Sequence, residues 1–305
     1  MSALPFTGER FTPECVREMW YEHWHRYAFA APVLRGKRVL DAACGEGYGS
    51  AILAGVAESV DGVDISADAV GHARDRYGNR PGLTFHVADA TRLPFPDAHF
   101  DAVVSFETLE HLEAQDERLA GFRRVLSPSG FLLISSPDKR VYSDLSGYQN
   151  EFHVRELYRK ELIDLIHRHF PAMRLFGQKL MFQSMIVADD GVLDSAGVSI
   201  SADGGTRLES RFTLDPMYFL VACAASESAL PNLPSLHVFS DQEESVYRHY
   251  EHEIRKNMQA GQMLIERDRR IAELEAALSR AQSVTAAPEV SNPPPTAQPF
   301  WRRWF

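Results

Sequence analysis

The stretch VLDAACGEGYGSAILA, residues 39–54, decides the fold. Its apolar residues Val39 and Leu40 are typical of a buried β-strand that ends at Asp41. Glycines let the backbone turn tightly and let a ligand approach where no Cβ intervenes. Three of them follow the strand and lead directly into a helical pattern: Gly45, Gly47 and Gly49. The order of strand, glycine turn and helix predicts an α/β domain with a ligand site at the end of its first strand.

Short apolar runs alternate with helical stretches through the next hundred residues. We interpret five of these runs as strands: KRVLDAA (37–43), ESVDGVD (58–64), LTFHVAD (83–89), FDAVVSF (100–106) and GFLLISS (130–136). Strands that alternate with helices predict a parallel sheet with right-handed crossovers, so that helices cover both faces. The sequence therefore predicts a Rossmann-like α/β sheet.

The second half of this domain contains one helix and three further strands. HVRELYRKELIDLIHRHF (153–170) repeats apolar residues at helical spacing and stops before Pro171, which predicts an amphipathic helix. The strands are expected at RLFGQKL (174–180), QSMIVAD (183–189) and MYFLVACAA (217–225). The polar stretch 189–215 is predicted to be an exposed insertion.

Composition divides the rest of the chain. We expect an N-terminal helical cap over 1–36, a main domain over 37–225, a linker over 226–240, a coiled-coil helix over 241–283 and a disordered Pro-rich tail over 284–305. The helix places several apolar residues near heptad a and d positions: Tyr250, Leu264, Ile271, Leu274 and Leu278. The pattern predicts a homo-oligomer formed through this coiled coil.

The tail ends in a patch of aromatic residues and arginines: Phe300, Trp301, Arg302, Arg303, Trp304 and Phe305. At the end of a flexible spacer, such a patch is expected to contact an anionic membrane surface or a partner's groove. We therefore predict peripheral attachment at the inner face of the membrane, or contact with an assembly partner.

Charge and cysteine content exclude several classes of protein. The formal net charge of −10 and the pI of about 5.6 argue against nucleic-acid binding, which depends on clustered Lys and Arg. Cys15, Cys44 and Cys223 are widely separated, so neither a disulfide framework nor a zinc cage is indicated. Because no signal peptide or membrane-spanning run is evident, we expect a cytoplasmic protein.

Three carboxylates lie at strand ends around the glycine turn: Asp41, Asp64 and Asp89. A carboxylate after the second strand can accept both hydroxyls of a ribose. Taken singly, each aspartate is equally compatible with helix capping or turn formation. In this order, and followed by LPFPDAHFDAVVSFETLEHL (93–112), they resemble the signature of class I S-adenosylmethionine (SAM) methyltransferases.

The resemblance implies a SAM-binding site in the first half of the main domain. Asp64 is expected at the ribose and Asp89 near the adenine amino group, and Arg26, on a helix that closes over the site, at the methionine carboxylate. The full set of expected cofactor residues is Arg26, Asp41, Ala43, Gly45, Gly47, Asp64, Ile65, Asp89, Ala90 and Phe106.

The segment after the fourth strand contains potential acceptor-site residues. Glu107, Glu110 and His111 would share one face if they form a helical turn, and His153 follows about forty residues later. Oxygen ligands with few nitrogens suit Mg²⁺ or Mn²⁺ better than zinc. We therefore predict a divalent-ion site at Glu107, Glu110, His111 and His153, with Glu110 and His111 as catalytic residues.

Two resemblances support this prediction and two alternatives stay open. The ExxEH pattern with a later histidine resembles the metal site of small-RNA 3′-terminal 2′-O-methyltransferases, and ubiquinone-biosynthesis O-methyltransferases have a similar EH element. His111 could instead act as a general base without a metal. Glu110 and His111 could also pair with neighbouring helices in a purely structural role.

The N-terminal region indicates a biological context. GERFTPE (8–14) with EHWHRYAFAAPVLRGKRVLDAACGEGYGS (22–50) resembles bacterial methyltransferases associated with surface-polysaccharide and O-antigen biosynthesis. That resemblance implies O-methylation of a sugar or glycan hydroxyl. The alternatives are a small-molecule or quinone-type O-methyltransferase, and a non-catalytic scaffold of polysaccharide assembly.

Overall fold

The computed structural model describes residues 18–183, 200–202, 207–209 and 214–285. The chain divides into two compact units, residues 1–243 and 244–305, each of which is described by itself.

The first unit contains a seven-stranded sheet. Its strands are β1 (Arg38–Ala42), β2 (Ser59–Asp64), β3 (Leu83–Val87), β4 (Phe100–Ser105), β5 (Leu126–Pro137), β6 (Ala172–Gln178) and β9 (Tyr218–Ala224). Their order in the sheet is β3-β2-β1-β4-β5-β9-β6. All neighbouring pairs along β3-β2-β1-β4-β5 are parallel, whereas β9 runs antiparallel to both β5 and β6.

Helices cover both faces of this sheet, as predicted. Because successive residues of a strand point to opposite faces, neighbouring residues pack in different apolar clusters. Val39 of β1 packs in one apolar cluster and Leu40 in the other. The first cluster includes residues of α1 (Glu18–Ala30), α2 (Tyr48–Leu53) and α3 (Ala67–Tyr77). The second includes residues of α4 (Gln115–Val125) and α5 (Arg159–His169). The doubly covered sheet explains why the strands appear in the sequence as nearly continuous apolar runs.

One glycine of the motif is required by helix packing. A Cβ built on Gly49 would lie 2.0 Å from the ring of Tyr27, so no side chain fits between α2 and α1 at this point. The contact brings the predicted N-terminal helical segment, of which α1 is the described part, directly against the glycine turn.

The predicted helix over 153–170 is wrong in its first six residues. The N–H groups of Val154 and Arg155 both donate to the carbonyl oxygen of Glu110, and this long-range contact holds the segment in a non-helical path. The helix begins after Tyr158, whose N–H donates to Glu161 Oε2 at 2.9 Å in a capping interaction. The segment before α5 therefore lies against the 107–112 region as a loop.

The predicted strand 183–189 falls almost entirely outside the described residues. Within the predicted insertion 189–215, the described residues form two short antiparallel strands, β7 (Ile200–Ala202) and β8 (Arg207–Glu209).

The second unit contains α6 (Ser245–Thr285), a helix of 41 residues. The predicted helix is confirmed, whereas its pairing as a coiled coil stays a prediction. Several apolar side chains of α6 are more than half exposed, among them Ile254 (59%), Leu264 (60%), Ile271 (53%) and Leu278 (59%). No helix in the described parts of the chain is long and apolar enough to cross a membrane. The patch at residues 300–305 lies outside the described residues.

Candidate active site

A cavity of about 370 Å³ lies at the carboxyl ends of the parallel strands. Open α/β sheets place their ligand sites at this edge. Predicted cofactor residues and predicted acceptor residues line the same cavity: Ala43, Gly45, Asp64, Ile65, Asp89, Ala90, Phe106, Glu107, Glu110, His111 and His153. The fold thus brings the two halves of the predicted site together.

The glycine turn adopts a left-handed backbone. Ala43, Gly45 and Gly47 have φ values of 65°, 57° and 89°. Glycine adopts such values at little cost, whereas a residue with a Cβ is strained. The Gly45 N–H donates to Asp64 Oδ2 at 2.9 Å, which ties the turn to the end of β2. The turn and the carboxylate therefore form one preorganised unit.

Two of the three aspartates face the cavity. The Asp64 side chain also accepts a hydrogen bond at Oδ1 from the Ser66 N–H, at 2.9 Å. Each carboxylate oxygen has a second lone pair, so this side chain retains the capacity to accept from a ligand. Asp89 accepts from the N–H and the hydroxyl of Thr91, both at 2.8 Å, and these bonds lower its pKa. Asp89 therefore also has the turn-forming role that the sequence left open.

Three predicted cofactor residues do not line this cavity. Asp41 is 1% exposed and accepts hydrogen bonds from Ser50 and Tyr27, and burial raises its pKa to about 6. A Cβ built on Gly47 would lie 2.8 Å from side-chain atoms of Ala73 and Phe85, neither of which belongs to the described lining of the cavity. Asp41 and Gly47 therefore stabilise the turn by packing within the protein. The prediction that they contact the cofactor directly is not supported by this geometry.

Arg26, the third of these residues, lies in a buried network beside the cavity. Its Nε donates to Gln178 Oε1 at 2.8 Å, its Nη2 lies 3.6 Å from Glu107 Oε1, and its guanidinium stacks on the Tyr218 ring at 4.4 Å. Nη1 and Nη2 are buried without a hydrogen-bond partner among the described residues. Because Nη1 has no hydrogen bond within the described structure and Nη2 has only the 3.6 Å ion pair with Glu107, the guanidinium can still bind a carboxylate ligand. A contact with the methionine carboxylate stays a prediction.

In the acceptor half, three of the four predicted metal ligands converge. One potential ligand atom from each of Glu110, His111 and His153 lies within 4.8 Å of the others. The Glu110 side chain is 1% exposed, and its Oε2 has no hydrogen-bond partner among the described residues. A buried, unpaired carboxylate oxygen beside two imidazoles fits a cation site.

Hydrogen bonds hold the two imidazoles in the orientation that metal-binding histidines usually have. Nδ1 of His111 contacts the Phe152 carbonyl oxygen at 2.9 Å, and Nδ1 of His153 contacts Glu156 Oε1 at 2.6 Å. Both contacts require a proton on Nδ1, so Nε2 is the acceptor nitrogen of each neutral ring. In His153, Nε2 is 3.0 Å from Nδ2 of Asn150, which a metal would have to displace.

Glu107 is not part of this cluster. The helical turn predicted over 107–111 is only a 3₁₀ turn at Leu109–His111, and Glu107 precedes it with a φ of 49°. Its Oε1 accepts from Ser135 Oγ at 2.6 Å and lies near Arg26. The prediction of Glu107 as a ligand is therefore not supported by the geometry, because these partners direct its side chain elsewhere.

Burial affects the protonation of Glu110, the carboxylate that remains in the cluster. It raises the pKa of Glu110 well above the usual value, and the neighbouring Glu107 raises it further. Arg118, which also lines the cavity, is 2% exposed, and burial lowers its pKa to about 10. Arg118 thus stays protonated at neutral pH and gives the Glu110 side of the cavity a positive charge.

Several polar residues of the cavity wall were not among the predicted site residues, including Arg118, Tyr142, Asn150 and Tyr218. A signal existed for Arg118, because it shares the apolar face of α4 with Leu119 and Phe122, where a charged side chain is unusual. Tyr142 and Asn150 lie in the 138–158 connection, which no local pattern orients. Tyr218 reaches the site only because β9 inserts between β5 and β6.

Comparison with known proteins agrees with this geometry. Residues 40–134 match a family model described as a methyltransferase domain. This segment is therefore similar to methyltransferase domains. It contains β2 to β4, most of β1 and β5, and the glycine turn, and it ends before His153 and the strands that complete the sheet.

Three relatives are each similar to part of this chain. A probable S-adenosylmethionine-dependent methyltransferase of Mycolicibacterium smegmatis is 39% identical over 168 residues, 54% of this chain and 64% of that protein. A fatty-acid O-methyltransferase of the same species is 38% identical over 38% of this chain and 43% of its own length. A demethylmenaquinone methyltransferase of Beutenbergia cavernae is 37% identical over 41% of this chain and 52% of its own. The chain therefore spans less than two thirds of each of these relatives.

Proposed function

We propose that this protein is a SAM-dependent O-methyltransferase. The observation that supports the proposal is one cavity in which Asp64 and the glycine turn face the cluster of Glu110, His111 and His153. A cofactor site and a set of potential acid–base or metal-binding groups within a single cavity are what methyl transfer to a hydroxyl requires. The match of residues 40–134 to a methyltransferase-domain model and the relative named for SAM-dependent transfer support it.

When bound, SAM supplies an electrophilic methyl group that an acceptor oxygen takes in one displacement step. Asp64 would accept hydrogen bonds from the ribose hydroxyls, and the glycine turn would admit the methionine part. The hydroxyl proton must leave as the new O–C bond forms, and Nε2 of His111 is the acceptor nitrogen facing the cavity. Arg118 and Tyr142 would orient the polar acceptor.

A divalent ion is a second way to activate the hydroxyl. When bound, it would lower the pKa of the acceptor hydroxyl. Glu110 and the Nε2 atoms of His111 and His153 would hold it. Two imidazoles and one carboxylate are less suited to Mg²⁺ than the four ligands expected from the sequence, so Mn²⁺ becomes the better candidate of the two.

We further propose that the acceptor hydroxyl belongs to a sugar or glycan. The acceptor side of the cavity contains Thr108, Tyr142, Asn150 and two histidines, which suit a ligand with several hydroxyl groups. The similarity of residues 8–14 and 22–50 to surface-polysaccharide methyltransferases supports the same class. The relatives named for fatty acids and menaquinone favour the rival, a small apolar or quinone-type acceptor.

An acceptor screen tests the proposal. The full chain is incubated with SAM and with nucleotide sugars, oligosaccharides, phenols or no acceptor, and S-adenosylhomocysteine (SAH) is measured by mass spectrometry. We expect SAH and a product 14 Da heavier only with sugar acceptors, and loss of both in His111→Ala. Turnover with phenols alone would support the quinone-type rival. SAH binding without turnover on any acceptor would favour a non-catalytic scaffold.

We also propose that α6 associates with a second copy of the chain, as its heptad pattern indicates. Leu264→Asp and Ile271→Asp place a charge in the seam and should each convert an oligomer to a monomer in multi-angle light scattering. Gln262→Asp, on the same helix outside the a and d positions, should keep the oligomer. An unchanged mass in the two seam variants would contradict the coiled coil.

A further inference from the structure

A second cavity of about 360 Å³ lies next to the first and is nearly as large. Its walls come from α1, the end of β6, the segment 179–183, Leu214, the start of β9 and residues 234–239. The end of β6 and the start of β9 are at the same edge of the sheet as the first cavity. Its volume is within the range of about 300–1,000 Å³ that small-molecule sites occupy.

The surface of this cavity is more apolar than that of the first. Phe29, Phe176 and Leu220 contribute to its inner wall, and three apolar side chains line it from more exposed positions: Met181 (42% exposed), Leu236 (50%) and Val238 (49%). Exposed apolar groups gathered around a concave surface are typical of a binding site. An apolar ligand would remove them from water.

Several polar groups of the wall are already engaged within the protein. His25 Nε2 and His237 Nδ1 are 3.0 Å apart and share a hydrogen bond. Gln178 accepts from Arg26 Nε at 2.8 Å and donates to the Glu22 carbonyl oxygen at 2.9 Å. These bonds stabilise the wall and leave less of its hydrogen-bonding capacity to a ligand, while Lys179 and Gln183 also line the cavity.

A thin layer of side chains separates the two cavities. Tyr218 lines the first, while Arg26 and Glu22 line the second. The Arg26 guanidinium lies 4.4 Å from the Tyr218 ring centre, and the Tyr218 hydroxyl donates to Glu22 Oε2 at 3.1 Å. An extended molecule whose polar end occupies the first cavity would therefore have to displace or pass around only this layer to reach the second.

We propose that the second cavity binds an aliphatic chain of the acceptor. The acceptor is then amphipathic, with a hydroxyl-bearing polar head beside His111 and a hydrocarbon chain between α1 and residues 234–239. This inference rests on the proposed function for the position of the head. The cavity beside Tyr218 and its apolar wall support the position of the chain.

A pair of glucosides that differ only in their chain tests the proposal. Binding of n-decyl β-glucoside, below its micelle-forming concentration, and of methyl β-glucoside is measured by calorimetry with the full chain saturated with SAH. Each buried methylene strengthens binding about fourfold. We therefore expect the decyl compound to bind at least about tenfold more tightly, even if only two methylenes are buried.

The double variant L236D/V238D should abolish this difference, because a carboxylate beside a buried alkyl chain loses hydration without compensation. Both positions are about half exposed, so the substitutions should not disturb the core. Leu145→Asp is the matched control, since Leu145 is 66% exposed and does not belong to the described lining of either cavity. This control should keep the full difference.

Equal affinity for the two glucosides, or a difference that survives in L236D/V238D, would overturn the proposal. The proposed function fails separately, through absence of SAH binding in the same calorimeter. In that case the comparison of the two glucosides without SAH still decides whether the second cavity holds a chain.

Discussion

Asp64→Ala should weaken SAM binding more than tenfold. The side chain lies at the end of β2, where Gly45 and Ser66 donate to its two oxygens, and its remaining lone pairs face the cavity. Each hydrogen bond from a ribose hydroxyl to a charged acceptor is worth about 1.5–3 kcal/mol, and 1.4 kcal/mol is about tenfold in affinity. The substitution also frees the turn that must receive the methionine part, which adds to the loss.

Calorimetry with SAM or SAH measures this effect, and Asp61→Ala on the same strand is the matched control. Asp61 pairs with His86 and does not belong to the described lining of the cavity, so this variant should bind SAM normally. Thermal unfolding of both variants checks that the domain is intact. Unchanged affinity in a folded Asp64→Ala protein would refute the assignment of the cofactor site.

The fold could be predicted from the sequence because its core is encoded locally. In β1 and β4 nearly every residue is buried, since helices cover both faces of the sheet, and this produces apolar runs that are visible without any knowledge of contacts. The end of α5 could be predicted from Pro171 in the same way. Its start could not, because the carbonyl of Glu110, 44 and 45 residues before Val154 and Arg155, engages the N–H groups of both.

The candidate site was predictable where strand ends determine it. Asp64 is the last residue of β2, and Asp89 follows β3, its neighbour in the sheet. The two aspartates therefore lie at the same edge of the sheet, independent of the loop conformations. Glu107 was misplaced because its conformation depends on Ser135 of β5 and on Arg26 of α1, which no spacing rule brings together. Asp41 was misplaced for a related reason, since Tyr27 and Ser50 bury it behind the turn.

The largest effect is expected from chelation, which should abolish turnover while leaving SAM affinity nearly unchanged. Glu110, His111 and His153 lie on the acceptor side of the cavity, so their ion would serve the acceptor oxygen and not the cofactor. Mn²⁺ should restore activity better than Mg²⁺, because two of the three ligands are imidazoles. Metal binding, followed directly by Mn²⁺ paramagnetic resonance, should weaken at least about tenfold in His153→Ala, as loss of one ligand under-coordinates the ion.

Glu107→Gln is the control that tests whether Glu107 binds the ion, as the sequence pattern predicts, or lies outside the cluster, as the structure indicates. The glutamine keeps an oxygen for the Ser135 hydroxyl, and its side chain is outside the cluster, so Mn²⁺ affinity should stay near that of the wild type. Full turnover by thoroughly chelated enzyme would exclude the metal and leave His111 as the general base, held by the Phe152 carbonyl with Nε2 towards the cavity. His111→Ala would then be far more damaging than His153→Ala, and activity would fall as the pH is lowered, because a protonated imidazole cannot accept the hydroxyl proton.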